Sequence, residues 1–391
     1  MSWERYRDAL KDEPLPAALV DLDAFEANVE RVLTGLQGKK LRVATKSIRS
    51  LELIKRVLAR AGDRALGLMT YTAAETAFLA AEGQRDLLLA YPTLRAHDAE
   101  LLAKTNRDGS VASVVVDALE QLEALEAGAA KVGATIPVVL EIDLGWRPFG
   151  LHVGARRSPL HTVDEVAALA QRVATFSHLK FHGLMGYESQ IAGLPDENPY
   201  AKWQSPARRL VKERSRLAIE RVRAELSQRL KPAIFNGGGT GSLATSAREA
   251  ALTEVTVGSA FLDGHLFDGY RELGLRPAAF FALQVVRRPK PGLLTCHGGG
   301  YVASGEAGRD RLPRPVWPPG LALLELEGAG EVQTPLSVPD GCPLGLGDPV
   351  FFRHAKSGEL SEHFQEYVLV RGDRIEGRAR TYRGLGHAFL G

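Results

Sequence analysis

The feature that most constrains the fold is a regular alternation of short apolar segments and longer amphipathic segments between residues 41 and 259. The apolar segments are hydrophobic on both faces, which is typical of a parallel sheet that helices cover on both sides. We predict eight such strands, at residues 41–46, 65–71, 86–92, 113–118, 137–143, 181–187, 233–239 and 253–259. Eight strands suit a closed (β/α)8 TIM-type barrel. The competing doubly wound sheet requires a Gly-rich turn after its first strand, and the sequence has none there.

The chain on either side of this region has a different pattern. Residues 17–23 are predicted to form a further strand, with Asp23 capping a helix over residues 24–36. After residue 270, Pro and Gly become frequent and short β-type runs replace the helical periodicity, at residues 281–288, 321–328, 348–354, 366–373 and 374–382. Because 391 residues are too many for one hydrophobic core, we predict two domains. They are a barrel domain at residues 1–270, which includes an N-terminal helix and strand, and an all-β domain at residues 271–391.

Composition and charge exclude several classes of protein. The net charge of +2 gives no support for nucleic acid or an anionic membrane as a partner. The two cysteines, Cys296 and Cys342, lie far apart, which argues against a disulfide framework and fits a reducing compartment. The N-terminal residues 1–14 carry too many charges for a signal peptide, and no apolar run reaches membrane-spanning length. We therefore expect a cytoplasmic protein.

Lys46 is the first candidate for chemistry. It falls where the first predicted barrel strand ends, and TIM-type barrels carry their active sites at the C-terminal ends of the strands. Partial burial there lowers the pKa of a lysine, and its neutral amine can then attack a carbonyl carbon. Ser47 or Ser50 is expected to cap the helix that follows. The alternative is a lysine that simply extends into water.

A glycine loop, Asn236 to Ser242 with the sequence NGGGTGS, follows the seventh predicted strand. Consecutive glycines expose backbone N–H groups to an anion, and the hydroxyls of Thr240 and Ser242 add donors before a helix begins. Gly258 and Ser259 end the eighth predicted strand. Because TIM-type barrels often bind phosphate in these two loops, we predict a phosphate site; a flexible loop is the alternative. The loop is not a Walker motif, since no GK[ST] is present.

A phosphate site on one side of a barrel mouth and a lysine on the other indicate a phosphorylated aldehyde bound as an imine. Pyridoxal 5'-phosphate (PLP) fits this description. Arg147, after the fifth strand, is then expected over the cofactor or beside its ring; an ordinary surface ion pair is the alternative. Tyr187, after the sixth strand, is expected at the rim of the site; core packing is the alternative.

Several further motifs extend over nearly the whole chain. They are PLPAALVDLDAFEANV (14–29), VATKS (43–47), the strand ending in Arg147 with Gly150, GLMGYESQ (183–190), NGGGTGS (236–242), VGSAFLDG (257–264), EGAGEVQTPL (327–336) and RHAKSGEL (353–360). With these motifs the chain resembles the D-threonine aldolase / D-serine dehydratase group of the alanine-racemase-type (fold type III) PLP enzymes. It is most similar to the branch usually called amino acid deaminase/aldolase.

This resemblance implies a barrel with a C-terminal all-β domain, a lead-in strand outside the eight, and a homodimer whose sites take residues from both subunits. It implies a lyase acting on a small β-hydroxy amino acid of D configuration through a Schiff base on Lys46. Retro-aldol cleavage and dehydration with deamination both remain open, and Lys46 is the expected base in the second. The residues expected to bind the cofactor are Lys46, Arg147, Tyr187, Asn236, Gly239, Thr240, Ser242, Gly258 and Ser259.

One departure from the family concerns a divalent metal. Relatives carry His-x-Cys or His-x-Asp near the C-terminus as ligands for a cation that activates the β-hydroxyl, whereas this chain has His354-Ala355-Lys356. His354 is the one matching ligand, and a lysine at the second position repels a metal. We therefore expect a degenerate metal site. His354, with Lys356 as an electrostatic helper, is expected to act at the β-hydroxyl beside Lys46 and Tyr187; the alternative is that other residues rebuild a site around His354.

Two other functions fit the same motifs. An amino acid racemase would need a second base on the opposite face of Cα, and no single residue identifies itself as that base. A non-catalytic PLP-binding protein is the other, and the predicted all-β domain counts against it. The sequence does not name the side chain of the substrate.

Overall fold

The computed structural model describes residues 3–197 and 202–390. Its strands are β1 (Ala17–Asp21), β2 (Lys40–Ala44), β3 (Ala65–Thr70), β4 (Asp86–Leu89), β5 (Val111–Val116), β6 (Ile136–Glu141), β7 (Leu179–Met185), β8 (Ile234–Gly237), β9 (Glu254–Val257), β10 (Ala279–Lys290), β11 (Leu293–His297), β12 (Arg314–Trp317), β13 (Ala322–Leu323), β14 (Gln333–Ser337), β15 (Pro349–Arg353), β16 (Glu366–Arg371) and β17 (Arg374–Arg380). Its α-helices are α1 (Trp3–Ala9), α2 (Leu22–Gly35), α3 (Leu51–Ala61), α4 (Ala73–Ala81), α5 (Ala96–Arg107), α6 (Leu119–Val132), α7 (Val163–Val173), α8 (Ser189–Ala192), α9 (Ser205–Leu230), α10 (Leu243–Ser246) and α11 (Ser357–Leu360). Within these residues, no helix is both long and apolar enough to cross a bilayer.

Strands β2 to β9 form a closed barrel in chain order, and β9 pairs with β2. Each neighbouring pair is parallel, as expected for strands joined by helical crossovers. The predicted barrel is confirmed, with each strand shifted by at most a few residues from its predicted bounds. Apolar side chains fill part of its interior, so the barrel is packed and leaves the strand ends as the site for function. The fully or nearly buried members of this cluster are Leu88, Ala90, Val115, Val139, Met185 and Ile234.

A buried polar network completes the barrel interior. The Arg42 guanidinium is fully buried and donates to Glu254 Oε2 at 2.8 Å and to Asp86 Oδ1 at 2.7 Å. Asn236 Nδ2 donates to Glu254 Oε1 and to Thr256 Oγ1, both at 2.7 Å. Because buried charges are tolerated only when paired and hydrogen-bonded, this network holds β2, β4, β8 and β9 in register.

The first strand lies in the second sheet rather than beside the barrel. Strand β1 pairs antiparallel with β10 and parallel with β16, in the order β13-β14-β11-β10-β1-β16-β17. Strand β15 also pairs with β10, and β12 pairs with β15. All five residues of β1 are buried, which requires a neighbour on each edge and cover on both faces. The N-terminal strand was grouped with residues 1–270 in the predicted barrel domain, but its hydrogen bonds are with residues of the C-terminal segment.

The start of α2 corrects a predicted cap. The carboxylate of Asp21, the last residue of β1, accepts the Ala24 N–H at 3.0 Å and is the N-cap. Asp23 lies inside the first turn, so the prediction that Asp23 caps this helix is wrong. The helix begins earlier because β1 ends at Asp21, whose extended backbone (φ −74°) aims the carboxylate at the first turn.

The C-terminal segment covers one side of the barrel mouth, the end where strands β2 to β9 terminate. Helix α11 packs on the Lys46 turn (Thr45–Ser47), and a Cβ on Gly358 would collide with the carbonyl oxygen of Lys46. Ser357 Oγ donates to the carbonyl oxygen of Ser259 at 3.2 Å, and Ser361 Oγ to that of Ile48 at 2.9 Å. Residues far apart in sequence therefore meet around Lys46.

Candidate active site

Lys46 lies at the mouth of the barrel, in a 3-10 turn directly after β2. Its Nζ donates to the hydroxyl of Tyr91 at 2.8 Å and lies 5.5 Å from the centre of that ring. Thr45 Oγ1 donates to the carbonyl oxygen of Met69 at 3.0 Å, which ties the turn to β3. Tyr91 follows β4 and was not singled out in the sequence. Its contact gives the lysine side chain a defined direction across the mouth.

Ser50 occupies the N-cap position of α3, but its side chain makes no capping hydrogen bond. The Ser47 hydroxyl does not cap the helix either, because it accepts a hydrogen bond from the Ser259 hydroxyl at 3.1 Å. Neither serine side chain therefore makes the predicted capping hydrogen bond. Ser47 instead links the Lys46 turn to the loop after β9.

A buried carboxyl group with an unusual pKa lies at the end of β6, where the Lys46 charge acts on it. Burial raises the pKa of Glu141, at the end of β6, to about 7, and the neighbouring carboxylates of Asp117 and Asp143 act in the same direction. The charges of Arg157 and Lys46 oppose this shift. A carboxyl that exchanges its proton near neutral pH is suited to acid–base chemistry. Sequence reasoning missed Glu141, and its only signal was a carboxylate at the end of an apolar strand.

Tyr187 lies between a guanidinium and the glycine loop. The Arg157 guanidinium carbon is 5.7 Å from the centre of the Tyr187 ring. On the other side, a Cβ on Gly239 would lie 3.4 Å from Tyr187 Cε2. Burial raises the pKa of Tyr187 to about 12, so the phenol stays protonated near neutral pH. Arg157 was also missed, because it lies in a loop whose path the sequence does not show.

Arg147 is engaged in ion pairing. Its Nη2 lies 3.0 Å from Asp143 Oδ2 and 2.7 Å from His161 Nδ1. His152 Nε2 lies 2.9 Å from the same Asp143 oxygen. This arrangement corresponds to the ion-pair alternative, and a position of Arg147 beside the cofactor ring stays a prediction. Arg157 is the guanidinium that lies over Tyr187.

The glycine loop, the loop after β9 and the Lys46 turn form one continuous surface. Thr240 Oγ1 accepts the Ala260 N–H at 3.0 Å, which joins the loops after β8 and β9. Ser259 Oγ donates to Ser47 Oγ at 3.1 Å and connects both to the Lys46 turn. A Cβ on Gly258 would lie 2.8 Å from the carbonyl oxygen of Ala44, so only glycine allows this close approach.

Two predicted phosphate-site residues have other partners. Ser242 Oγ donates to Glu188 Oε1 at 2.7 Å, and the amide of Asn236 donates into the barrel network. Burial favours a protonated Glu188, but the Arg223 guanidinium and two serine hydroxyls outweigh it and hold the pKa of Glu188 below its usual range. The hydroxyl proton of Ser242 is thus directed at a carboxylate. Roles for Ser242 and Asn236 at a phosphate stay predictions.

The donors around this surface fit a phosphorylated aldehyde. Thr240 supplies a hydroxyl whose proton is not used in its contact with the Ala260 N–H, the glycines supply backbone N–H groups, and Lys46 supplies the amine. The carboxylate that accepts the Ser242 hydroxyl, Glu188, is 1% exposed and paired with Arg223, which offsets its charge towards an anion in the loop. The residues present therefore suit PLP.

The side chains around His354 do not suit a divalent metal. Within residues 3–197 and 202–390, no group of three or more His, Cys, Asp and Glu side chains is arranged to hold a metal ion. His354 is 3% exposed, and burial together with the Arg353 and His265 charges lowers its pKa to about 3. Lys356 Nζ donates to the carbonyl oxygen and hydroxyl of Ser304, at 2.6 and 3.0 Å. Burial lowers the pKa of Lys356, and the Arg311 and Lys46 charges act in the same direction.

Gly239→Val is expected to weaken PLP binding at least tenfold, about 1.4 kcal/mol. A Cβ at this position would lie 3.1 Å from Ala192 Cβ, so the larger side chain is forced towards the glycine-loop surface. The dissociation constant for PLP, measured by fluorescence titration, tests this. Gly239→Val in an Ala192→Gly background is the matched control, since it removes the crowding methyl. Unchanged affinity in the folded Gly239→Val protein would place the phosphate elsewhere.

Comparison with known proteins is consistent with this geometry. The sequence model of the alanine racemase N-terminal domain matches residues 20–263. The chain is 27% identical over 304 residues to 3-hydroxy-D-aspartate aldolase of Paracoccus denitrificans (strain Pd 1222), covering 75% of this chain and 74% of that protein. It is 25% identical over 362 residues to D-threonine aldolase of an Arthrobacter species, covering 89% of each. The crystal structure of D-threonine aldolase from Filomicrobium marinum has the same fold, with a TM-score of 0.82, 22% identity and 96% of each chain covered.

Proposed function

We propose that this chain, which belongs to the alanine racemase N-terminal domain family, is a PLP-dependent lyase of small β-hydroxy D-amino acids. The observation that carries the proposal is the continuous surface that joins the Lys46 amine to the glycine loop. Two relatives that match most of the chain are named as aldolases of D-configured hydroxy amino acids, which supports the reaction class and the configuration. The racemase alternative has no comparable support from these two relatives.

Each residue at the mouth has a separate role in this proposal. Lys46 holds the aldehyde carbon of PLP, and Thr240 and Ser259 with the glycine backbone hold its phosphate. When bound, PLP supplies an electron sink for the bond that breaks at Cα. When it is not bonded to PLP, the Lys46 amine would move a proton at Cα of the substrate, and its hydrogen bond to Tyr91 would keep it in place.

Glu141 is the group that we propose for proton transfer at the β-substituent. Its pKa of about 7 lets it accept the β-hydroxyl proton in retro-aldol cleavage or return a proton to a leaving hydroxide. His354, the earlier candidate for this step, is buried, and its low pKa leaves it neutral, so it does not supply charge to the substrate. A supporting role for His354 stays a prediction.

A panel of D- and L-amino acids tests the function. Purified protein loaded with PLP is incubated with 3-hydroxy amino acids, and glycine, aldehyde, 2-oxo acid and ammonia are measured. Glycine with an aldehyde indicates retro-aldol cleavage, and 2-oxo acid with ammonia indicates dehydration. The matched control is the Lys46→Ala protein with each substrate. Inversion at Cα without either product pair would show a racemase, and bound PLP without turnover would show a carrier.

Assembly and location are two further proposals. We propose a homodimer in which each site takes residues from both subunits, because the glycine loop and Lys46 lie at an open mouth that one chain covers on one side. Light scattering at working concentration should give twice the mass of the 42.3 kDa chain. A fully active protein of monomeric mass would contradict this.

The cytoplasmic location is proposed from the two unpaired thiols, Cys296 and Cys342.

A further inference from the structure

We propose that the Lys356 ammonium, held by Ser304, acts on the β-oxygen of the substrate in place of a divalent cation. This inference rests on the proposed function, and it names the group that distinguishes this chain from metal-dependent relatives. Lys356 stays protonated in this role. It donates a hydrogen bond to the oxygen on which negative charge develops, and another group takes the hydroxyl proton.

The position of Lys356 follows from the packing of α11. Two residues further along, Gly358 contacts the carbonyl oxygen of Lys46 so closely that a Cβ there would collide with it. Ser357 Oγ donates to the carbonyl oxygen of Ser259, beside the glycine loop, at 3.2 Å. The backbone at Lys356 therefore lies beside the junction of the Lys46 turn and the loop after β9, and the charges of Lys356 and Lys46 are close enough to act on each other.

The ammonium is oriented with one hydrogen-bond donor left over. A lysine ammonium has three N–H donors. Two of them are directed at the carbonyl oxygen and the hydroxyl of Ser304, at 2.6 and 3.0 Å. The loop that carries Ser304 is itself fixed, because the Ser304 N–H donates to Glu359 Oε2 at 3.0 Å and the Ala303 N–H to the carbonyl oxygen of Arg311 at 2.9 Å. No other hydrogen bond of this ammonium is found within residues 3–197 and 202–390, which leaves the third donor to meet a substrate oxygen.

His354 and Lys356, which occupy the two positions of the relatives' metal ligands, are not arranged to bind a cation. His354 has Nε2 3.4 Å from Ser357 Oγ, and its Cδ2 faces Gly264, where a Cβ would lie 3.4 Å away. Its carbonyl oxygen accepts the His265 N–H at 3.0 Å, which fixes the backbone at His354. A divalent cation requires several anionic or neutral ligands, and a fixed ammonium two residues away would repel it. A positioned ammonium can stabilise a developing alkoxide directly.

The first experiment measures metal binding independently of activity. PLP-loaded protein is dialysed against EDTA, and Mn²⁺ binding is followed by electron paramagnetic resonance, with metal content measured by mass spectrometry before dialysis. We expect no stoichiometric metal and the same turnover before and after EDTA. A stoichiometric Mn²⁺ or Zn²⁺ ion, with turnover that EDTA removes and metal restores, would overturn the inference.

The second experiment separates action at the β-oxygen from a structural role. Lys356→Met should lower turnover of β-hydroxy substrates about 100-fold, the scale of losing one transition-state donor. Exchange of the Cα proton of D-alanine in D₂O, followed by NMR, should change less than threefold, because D-alanine has no β-oxygen. Lys356→Arg should retain more turnover than Lys356→Met, and exposed Lys290→Met is the matched control.

The possible outcomes are distinct. Equal loss of Cα exchange and turnover in Lys356→Met, or turnover like that of the wild type, would each overturn the inference. If the wild-type protein turns over no β-hydroxy amino acid, the proposed function fails and the catalytic role of Lys356 fails with it. The Mn²⁺ titration then still decides whether this chain binds a metal.

Discussion

Lys46→Ala is expected to abolish the covalent attachment of PLP and to lower turnover by at least about a thousandfold, the scale of loss when an essential nucleophile is removed. Attachment of an aldehyde as an imine requires a primary amine, and Lys46 Nζ lies at the mouth with Tyr91 at 2.8 Å. Borohydride reduction followed by peptide mass spectrometry measures the attachment directly. The wild-type protein should carry PLP on the peptide that contains Lys46, and the variant should carry none.

Two controls make the Lys46 result specific. Lys356→Ala removes a second lysine whose charge acts on that of Lys46, and it should leave reducible PLP at the wild-type level. Tyr91→Phe removes only the hydroxyl that Lys46 contacts, so PLP should stay attached while turnover falls. Reduction that still fixes PLP to a single site in Lys46→Ala would show that another amine holds the cofactor.

Arg223→Met is expected to lower the free energy of unfolding by about 3–5 kcal/mol, the range for breaking a buried ion pair from one side. The Arg223 guanidinium is fully buried, pairs with Glu188, and donates to Glu249 Oε1 at 2.6 Å and to the carbonyl oxygen of Gly186 at 2.7 Å. Methionine fills much of the same volume but leaves both carboxylates without a cation. Denaturant unfolding of the variant and the wild type gives the difference.

The matched control for Arg223→Met is Arg221→Met, which removes an exposed arginine from the same helix and should change stability by no more than about 0.5 kcal/mol. Arg223→Met should also affect the cofactor site, because Glu188, which loses its partner, follows Tyr187 and accepts the Ser242 hydroxyl at 2.7 Å. Weaker PLP binding should therefore accompany the loss of stability. An Arg223→Met protein as stable as Arg221→Met would show that the buried carboxylates take up protons at little cost.

The architecture of the barrel could be predicted because its pattern is local. Strands such as β5 and β6 are apolar on both faces, and only a sheet covered on both sides buries them. Lys46 and the glycine loop could be located for the same reason, since each directly follows a buried strand. Short strands were harder: β11, β12 and β14 were not predicted, and the run predicted over 321–328 contains only the two residues of β13. Their pairing partners, rather than their own composition, make them strands.

The sequence by itself determined the barrel, the all-β segment, the position of Lys46 and the glycine loop, because periodicity and turn chemistry act over a few neighbouring residues. Only the tertiary structure decided which side chains meet at the mouth. Tyr91, Glu141 and Arg157 come from different loops and strand ends. The Tyr91–Lys46 and Arg157–Tyr187 contacts and the effect of the Lys46 charge on Glu141 depend on how the closed sheet brings those ends together. The tertiary structure also decides which acceptors the polar side chains meet. Ser242 donates to Glu188, and Lys356 donates to Ser304, because those acceptors lie close in space although they are distant in sequence.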